Sequence, residues 1–359
     1  MSYVLAFLGF AALIILHEGG HFAAAKAVGM RVERFSLFFG PMLVKFRRGE
    51  TVYGIGPIPL GGYVKITGMN PNEDIPPEAL PRAYYNQPVW KRIVVILAGP
   101  VVNLIIAFGI IWVLLLSNGQ IGAPVNRVAA VVRSTPAATV LEPGDTLVSV
   151  DGVAGTPAAL RTRIGAHTCA GTPVAGCRAS TPLALVVRRH GQELRFAVRP
   201  VYAAPAKRME LGFEFASTTT YPGPVSAAGT TTSYLASVTG RTVSTIVRVF
   251  QPADRRQLHG AVGAYQTTQR SFATSTSLAL EVLALISLSL GVINLFPFLP
   301  LDGGHIFGAL AEKVRGRRIS FAVMERAGVV GFVLIIMLFF VGLSNDISHL
   351  GAGGGLTSR

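Results

Sequence analysis

Four long apolar segments dominate the pattern of hydrophobic and polar positions along the chain. They cover residues 3–22, 93–117, 278–301 and 327–343. Each is close to the roughly 20 apolar residues that a helix needs to cross ~30 Å of hydrocarbon. The first segment lacks the basic head of a signal peptide and is longer than one. The pattern therefore predicts an α-helical membrane protein with four transmembrane helices.

Between the second and third segments the chain becomes polar, and its apolar residues alternate with the period of β-strands. We predict strands at 127–132, 146–150, 183–188 and 194–198, with one short helix at 158–166. Turn sequences separate these elements: Pro143-Gly144-Asp145, Asp151-Gly152 and His190-Gly191. The pattern predicts an external α+β domain that resembles a PDZ domain.

The predicted domain boundaries follow from these elements. Residues 1–117 carry the first two spans, 118–220 form the external domain, 221–277 form a linker, and 278–359 carry the last two spans. The linker is predicted to contain a surface helix, because apolar residues recur in it at helical spacing. These residues are Val243, Ile246, Val247 and Phe250.

A glycine-rich apolar stretch at about 53–65 lies between the first two predicted spans. It is too short to cross a membrane as a helix, and strand-forming residues stand at both of its ends. We interpret it as a β-hairpin that re-enters the membrane and offers an edge strand to an unwound substrate. The alternative is a hairpin on the cytoplasmic surface.

Composition and charge agree with a membrane protein, since 50% of the 359 residues are hydrophobic and 14% are charged. Ten of the 32 Lys and Arg residues lie at 26–92 and five at 313–326. By the positive-inside rule these two connections face the cytoplasm, and 118–277 and both termini lie outside. The net charge of +14 does not indicate nucleic acid as a partner. The basic residues of those connections flank the spans, where anionic lipid attracts them.

Candidate chemistry stands in the first span, in the sequence Leu16-His17-Glu18-Gly19-Gly20-His21. On a helix the spacing of four places both imidazoles on one face, which suits a single zinc ion. Glu18 is then available as a general base. Three ionisable groups on a spanning helix are costly unless they bind or pair with something, so a functional site is the default.

A third zinc ligand is predicted in the stretch that ends the third span, Asn294-Leu-Phe-Pro297-Phe-Leu-Pro300-Leu-Asp302-Gly-Gly. This span runs from outside to inside, so Asp302 reaches the depth of His17 and His21. Its carboxylate is a suitable ligand. The two prolines break the helix, and freed backbone groups at membrane depth require a polar cavity. The alternative for Asp302 is a helix-ending Asp-Gly turn.

These motifs and their order resemble those of the site-2 proteases. Within that family, they resemble the bacterial branch typified by the regulator of sigma-E protease. The resemblance rests on His17 to His21, on Ala98-Gly99-Pro100-Val-Val-Asn103 and on Asn294 to Gly304. It implies that His17, His21 and Asp302 bind Zn²⁺ and that Glu18 is catalytic. It also implies that Asn103, Asn294 and Pro297 position the substrate. For Asn103 the alternative is an interhelical hydrogen bond.

The resemblance implies an intramembrane endopeptidase in the bacterial inner membrane, with its active site near the cytoplasmic side. Its substrates would be single-span membrane proteins in regulated intramembrane proteolysis, either an anti-sigma factor or a remnant signal peptide. The external PDZ-like domain either binds peptides or filters substrates by size. Two other functions compete with this one: a zinc transporter and a non-catalytic membrane peptide-binding protein.

The two cysteines, Cys169 and Cys177, both lie in the segment predicted to be external. An oxidising compartment allows them to form a disulfide. The alternative is two unpaired thiols.

Overall fold

The computed structural model describes residues 2–70, 73–204, 206–248, 261–317 and 319–351. The helices are α1 (Ser2–Ala27), α2 (Val89–Asn118), α3 (Pro157–Gly165), α4 (Pro224–Val247), α5 (Ala261–Thr274), α6 (Thr276–Asn294), α7 (Asp302–Arg315) and α8 (Phe321–Gly351). The chain forms two compact units, one of residues 117–222 and one of residues 1–116 with 223–359.

Four helices in the described residues are long and apolar enough to cross a membrane: α1, α2, α6 and most of α8. The third ends earlier than the sequence predicts, at Asn294 rather than 301. Pro297 and Pro300 follow at once, and a proline ring cannot continue a helix without clashing with the preceding turn. The apolar run 295–301 is therefore a loop between α6 and α7.

A four-stranded sheet follows α1. Its strands are β1 (Val32–Phe39), β2 (Val44–Arg48), β3 (Thr51–Ile55) and β4 (Ile58–Ile66), in the order β2-β3-β1-β4. The predicted hairpin at 53–65 is wrong, because β3 and β4 do not pair with each other. Strand β1 lies between them, parallel to β3 and antiparallel to β4. The hairpin in this sheet is instead β2 with β3, closed at Gly49-Glu50.

The connection from β3 to β4 crosses the end of β1 at Gly56-Pro57. The Gly56 amide donates to the carbonyl of Leu37 at 2.8 Å. A Cβ atom at position 56 would lie 2.3 Å from the carbonyl oxygen of Phe39, so only glycine fits. This close crossing lets the two strands flank β1, an arrangement that the alternating pattern of 53–65 alone does not reveal.

The sheet runs back along α1 rather than away from it. Phe35 packs on Phe22 with ring centroids 5.4 Å apart, and Phe38 packs near Phe7 at 5.9 Å. Phe7 and Phe22 are 15 residues apart in α1, which is about 22 Å along the helix axis. The far end of the sheet therefore lies at the depth of the first half of this apolar helix.

The helix predicted as a surface element in the linker is α4, and one of its faces is buried. Ala227 and Thr231 have no exposed surface, and Leu235 joins a core cluster with Ala107 of α2 and Leu288 of α6. The buried positions recur every four residues, as expected for one face of a helix. Val243, by contrast, is exposed. Phe250 lies outside the described residues, as do the side chains of Ile246 and Val247.

The second compact unit contains a five-stranded antiparallel sheet. Its strands are β5 (Gln120–Val131), β6 (Thr146–Val150), β7 (Leu183–Arg189), β8 (Gln192–Val198) and β11 (Phe213–Thr220), in the order β11-β5-β6-β7-β8. Two short strands, β9 (Val201–Ala203) and β10 (Arg208–Glu210), pair separately. Leu160 and Ile164 of α3 pack on Leu147 and Leu185 in the core. Cys169 and Cys177 form a disulfide, with Cα atoms 6.1 Å apart.

A buried ion pair holds the turn that precedes β6. Arg189 donates to both carboxylate oxygens of Asp145, at 2.8 and 2.7 Å, and the amide of Glu142 donates to Oδ2 at 2.9 Å. Asp145 is only 2% exposed. The hydrogen bonds from Arg189 lower the pKa of the Asp145 carboxyl in the folded state.

We expect this pair to make the unit less stable in acid. A lowered folded-state pKa adds stability that is complete above the unfolded pKa of about 3.9 and is lost as the pH falls through the folded value. Urea denaturation of a fragment spanning 117–222, near pH 7 and near pH 3, measures the effect. Asp145→Asn should cost about 3 kcal/mol near pH 7, because it removes the buried carboxylate of this ion pair and leaves Arg189 only its contacts with Glu142 and the Val140 carbonyl. Glu214→Gln, at an exposed site, is the control; equal losses in both variants would contradict the assignment.

Candidate metal centre

Three of the predicted site residues meet in one cluster. His17 and His21 lie on α1, and Asp302 is the first residue of α7. Asp302 Oδ2 lies 3.4 Å from His17 Nε2 and 3.3 Å from His21 Nε2. One potential ligand atom from each residue falls within 4.8 Å of the others, and both histidines are 7% exposed. Residues from the two ends of the chain thus form a single buried donor set.

The donor set fits zinc. Ligands that bind one zinc ion tetrahedrally at about 2.0–2.1 Å are about 3.3 Å apart, as these atoms are. The observed separations exceed the length of a well-formed charged hydrogen bond, about 2.7–2.9 Å. Asp302 Oδ2 is buried and has no hydrogen-bond partner within the described residues. Two imidazoles with one carboxylate also leave a position for water, as in zinc hydrolases.

A backbone carbonyl fixes the orientation of His21. Its Nδ1 lies 2.8 Å from the carbonyl oxygen of Val95 on α2. Because a carbonyl only accepts hydrogen bonds, Nδ1 carries the proton and Nε2 keeps its lone pair. Nε2 is the atom that faces Asp302, so the ring presents its free lone pair to the metal position.

The side chain of Asn103 fixes the orientation of the His17 ring. Its side-chain amide lies 3.1 Å from His17 Nδ1, and Ser287 Oγ donates to its backbone carbonyl at 2.9 Å. Asn103 Oδ1 has no partner in the described part of the chain as the amide stands. Rotating the amide by 180° lets Oδ1 accept from Nδ1–H and leaves His17 Nε2 free for a metal.

Asn103, which the sequence resemblance suggests as a substrate-positioning residue, is fully buried. With 0% exposed surface, its side chain cannot touch a substrate in this structure. Its contact is with His17 of the donor set instead, as an interhelical hydrogen bond. An unpaired amide in an apolar span requires a partner, but the sequence does not show that the partner is His17.

We therefore expect Asn103→Ala to weaken zinc binding about 10–100-fold, the usual effect of removing a hydrogen-bond partner from a ligating histidine. Asn103→Asp should retain most of the affinity, because its carboxylate accepts from Nδ1–H. Competition with a chromogenic chelator measures both dissociation constants. If Asn103→Ala binds zinc as tightly as the unmodified protein, this role is wrong.

Asn294 and Pro297, the other two predicted substrate-positioning residues, lie at the end of α6 and in the loop after it. Asn294 is the last residue of α6, and its Nδ2 is 3.4 Å from His17 Nε2, on the side of the ring that faces the metal position. Pro297 is exposed in the loop and is not part of the donor cluster. The structure therefore brings Asn294, but not Pro297, to the donor set.

Two glycines allow the loop to return close to Asp302. A Cβ at Gly303 would lie 2.3 Å from the carbonyl oxygens of Leu295 and Phe296, and one at Gly304 would lie 2.5 Å from the Leu299 amide nitrogen. The first turn of α7 therefore packs directly on the backbone of the loop. This packing holds Asp302 in place and explains the Asp-Gly-Gly sequence.

Two further glycines let α1 and α2 cross at the cluster. A Cβ at Gly99 would lie 2.2 Å from His21 Nε2, and one at Gly20 would lie 2.7 Å from the Ala98 carbonyl oxygen. Small residues are typical where membrane helices approach closely. A Cβ at Gly19 would meet nothing, so only the second glycine of the motif is required by packing.

Glu18 lies between the donor cluster and the sheet. It forms no hydrogen bond or ion pair with any residue in the described ranges, and its side chain is half-buried. A Cβ at Gly62 would lie 2.9 Å from Glu18 Cγ, so β4 passes directly beside the carboxylate. Among the strands that the structure describes, β4 is an edge strand, paired only with β1. A free carboxylate and an unpaired strand edge therefore adjoin the metal position.

A buried ion pair that sequence analysis missed joins α2 to α7. Arg92 donates to both carboxylate oxygens of Glu312 at 2.9 and 2.8 Å. The guanidinium carbon also lies 5.9 Å from the centre of the Tyr84 ring. The pair spans 220 positions of sequence, so no local pattern reveals it. It holds α7, and with it Asp302, against the helix that supports both histidines.

Comparison with known proteins agrees with this geometry. The model of Peptidase family M50 matches residues 5–338. A protein of Brucella suis named "Putative zinc metalloprotease" is 31% identical over 93% of this chain and 92% of its own. Proteins with the same descriptive name in Clostridium acetobutylicum and Campylobacter jejuni are 27% and 28% identical, over 97% and 94% of this chain and 98% and 91% of their own.

Among solved structures, the PDZ domains of SdrC-like proteins from Listeria innocua and Listeria monocytogenes resemble part of the chain. They are 14% and 15% identical and cover 26% and 27% of this chain. The shared part is 92% and 88% of those chains, and the TM-scores are 0.21 and 0.20.

The family match spans nearly the whole chain, and the described residues include four helices apolar enough to cross a bilayer. The protein is therefore a multi-pass membrane protein, and its cofactor is Zn²⁺. The predicted resemblance to the site-2 proteases is confirmed. This chain belongs to peptidase family M50, the site-2 protease family, and is a zinc metalloprotease.

Proposed function

We propose that the protein is an intramembrane endopeptidase that cuts the transmembrane segment of single-span membrane proteins. The observation that carries the proposal is the position of the donor set on an apolar helix. His17 lies 15 residues after the start of α1, about 22 Å along a helix that itself is long enough to span the bilayer. A hydrolytic site at that depth acts on a peptide within the membrane.

His17, His21 and Asp302 bind the zinc ion in this proposal. The ion supplies Lewis-acid chemistry: it polarises the scissile carbonyl and makes water nucleophilic near neutral pH. Glu18 accepts the proton of the attacking water on its carboxylate and then transfers it to the leaving amide nitrogen. The absence of a competing hydrogen bond to Glu18 within the described residues leaves both oxygens available for this transfer.

The substrate is bound as an extended strand along β4. A transmembrane helix shields its own carbonyls, so it must unwind before hydrolysis, and its backbone groups then need new partners. The free edge of β4 provides such partners by strand addition. Gly62 brings this edge against Glu18, so an added strand lies next to the catalytic carboxylate.

Asn294 contacts the substrate backbone or the oxyanion. Its Nδ2 group lies beside His17 Nε2 and carries two N–H donors. Pro297, exposed in the adjoining loop, keeps that loop from forming a helix.

The sheet of β1–β4 re-enters the membrane from the cytoplasmic side of the bacterial inner membrane. Its return along α1 supports this, as do the exposed apolar side chains at its far end, Phe39, Leu43 and Ile58. The unit of residues 117–222 is then extracytoplasmic and PDZ-like, and it filters substrates by size. Substrates are anti-sigma factors or remnant signal peptides already trimmed outside.

The test is to reconstitute the purified chain with a labelled single-span substrate and to map the cleaved bond by mass spectrometry. We expect cleavage within the transmembrane segment, loss of activity after zinc is removed by a chelator, and recovery when zinc is restored. Cleavage only outside the segment would overturn the intramembrane assignment. Activity that persists without metal would overturn the zinc mechanism.

A further inference from the structure

One face of the β1–β4 sheet carries a basic groove that the peptidase site does not use. We define the basic groove by Arg34, Lys45 and Arg47, which line it together with Met42 and Tyr63. Its volume is about 580 Å³, within the range of small-molecule sites. It lies on the opposite face of the sheet from Glu18.

Strand pairing explains why the cations gather. Arg47 pairs with Val52 and Val52 with Arg34, so both arginines stand in one cross-strand row. Lys45 and Tyr63 occupy the next row, through Gly54 and Ser36. Since side chains alternate between faces along a strand, all four point to the same side. The other side carries Phe35 and Tyr53, which pack on Phe22 of α1.

The groove lacks anionic partners of its own. Within the described residues, no carboxylate lies within ion-pair distance of Arg34, Lys45 or Arg47. Arg47 donates through Nε to the carbonyl of Gly49 at 3.1 Å, which leaves both of its terminal nitrogens free of ion pairs. Three neighbouring like charges without counterions favour an anion in the groove.

The groove also lies at a defined depth. Lys26, at the end of α1, forms an ion pair with Glu50 in the turn between β2 and β3. The row of Arg47 and Arg34 begins two residues from that turn, about 7 Å along the strand. With the sheet oriented as proposed above, that distance places the groove in the headgroup layer, since the polar regions add about 5–7 Å on each side of the hydrocarbon.

Apolar side chains continue from the groove towards the far end of the sheet. Leu43, just before β2, is 70% exposed, and Phe39 and Ile58 at the same end of the sheet are 42% and 45% exposed. A group of exposed apolar side chains marks a contact with another apolar surface. Next to cations at headgroup depth, that surface is an acyl chain.

We infer that the basic groove binds the headgroup phosphate of an anionic phospholipid, with the acyl chains of that lipid along Met42, which lines the groove, and Leu43 next to it. Arginine and lysine both bind phosphate oxygens well. This site is separate from the peptidase chemistry, and it anchors the sheet that carries β4 at the membrane surface.

In the experiment, the purified full chain in detergent is titrated separately with dihexanoyl phosphatidylglycerol and with dihexanoyl phosphatidylcholine. Calorimetry measures the binding of each lipid. These lipids have the same acyl chains and differ in headgroup charge. We expect saturable binding of the anionic lipid, about fivefold weaker in Arg47→Ala and about 25-fold weaker in Lys45→Ala/Arg47→Ala, as the loss of one or two cations predicts. Lys45→Gln serves as a milder variant if the double variant does not fold.

Arg48→Ala is the matched control, because Arg48 lies on the same strand, is exposed and points to the opposite face. It should bind the anionic lipid as the unmodified chain does. Equal weakening by Arg48→Ala, or equal binding of the phosphatidylcholine, would overturn the proposal. Inorganic phosphate binding as tightly as the lipid would also overturn it, since the groove would then be a site for soluble anions. Unchanged zinc content shows that the variants are folded.

Discussion

Replacing Glu18 with glutamine is expected to lower peptidase turnover by about 10²–10⁴-fold while zinc remains bound. Glutamine keeps the size and polarity of the side chain, but it cannot accept the proton of the attacking water. Glu18 is not part of the donor set, so its loss leaves His17, His21 and Asp302 in place. The measurement combines cleavage of a single-span substrate in liposomes with metal analysis of the same sample.

Glu281→Gln is the matched control for this experiment. Glu281 lies on α6, and its carboxylate accepts a hydrogen bond from the Tyr234 hydroxyl at 3.2 Å, away from the donor set. It should retain full activity. Equal cleavage by Glu18→Gln and the unmodified protein would show that another group moves the proton.

Replacing Asp302 with alanine is expected to remove both zinc and activity. The substitution deletes the only carboxylate in the donor set and leaves two imidazoles, which hold zinc far less well than three ligands do. The loss of affinity should exceed the 10–100-fold expected for an outer partner such as Asn103. Chelator competition gives the dissociation constants of zinc for Asp302→Ala and Asn103→Ala. The ratio of these two constants distinguishes a zinc ligand from a supporting residue.

Asp74→Ala provides the same change in net charge at an exposed position of the same compact unit. It should bind zinc as the unmodified chain does. A dissociation constant for Asp302→Ala that matches that of Asp74→Ala would exclude Asp302 as a ligand.

The helical spacing of His17 and His21 and the length of the apolar segments were sufficient to predict a zinc site on a membrane helix. Both depend on local geometry, since four residues make about one turn and about 20 residues cross the hydrocarbon. Asp302 was predicted because the third span runs from outside to inside and so ends at the depth of the histidines. The family match then established the class of enzyme independently.

The order of strands around Glu18 could not be predicted in the same way. The sequence at 53–65 shows two apolar runs around glycines and prolines, which is also the pattern of a hairpin. The crossing at Gly56 places β1 between them instead, and it depends on a contact with Phe39 that is distant in sequence. Likewise, the burial of one face of α4 depends on Ala107 and Leu288, which local periodicity cannot identify.

The sequence by itself determined the membrane helices and predicted the pair of histidines and the carboxylate of Glu18 on α1, because each depends on residue type and on spacing within one segment. Only the tertiary structure decided which groups support those residues. Asn103 orients His17, the Val95 carbonyl orients His21, and Arg92 holds the helix of Asp302 through Glu312. These contacts join segments far apart in the chain, and hydrogen bonds of this kind depend on distances of a few ångströms that only the folded packing sets.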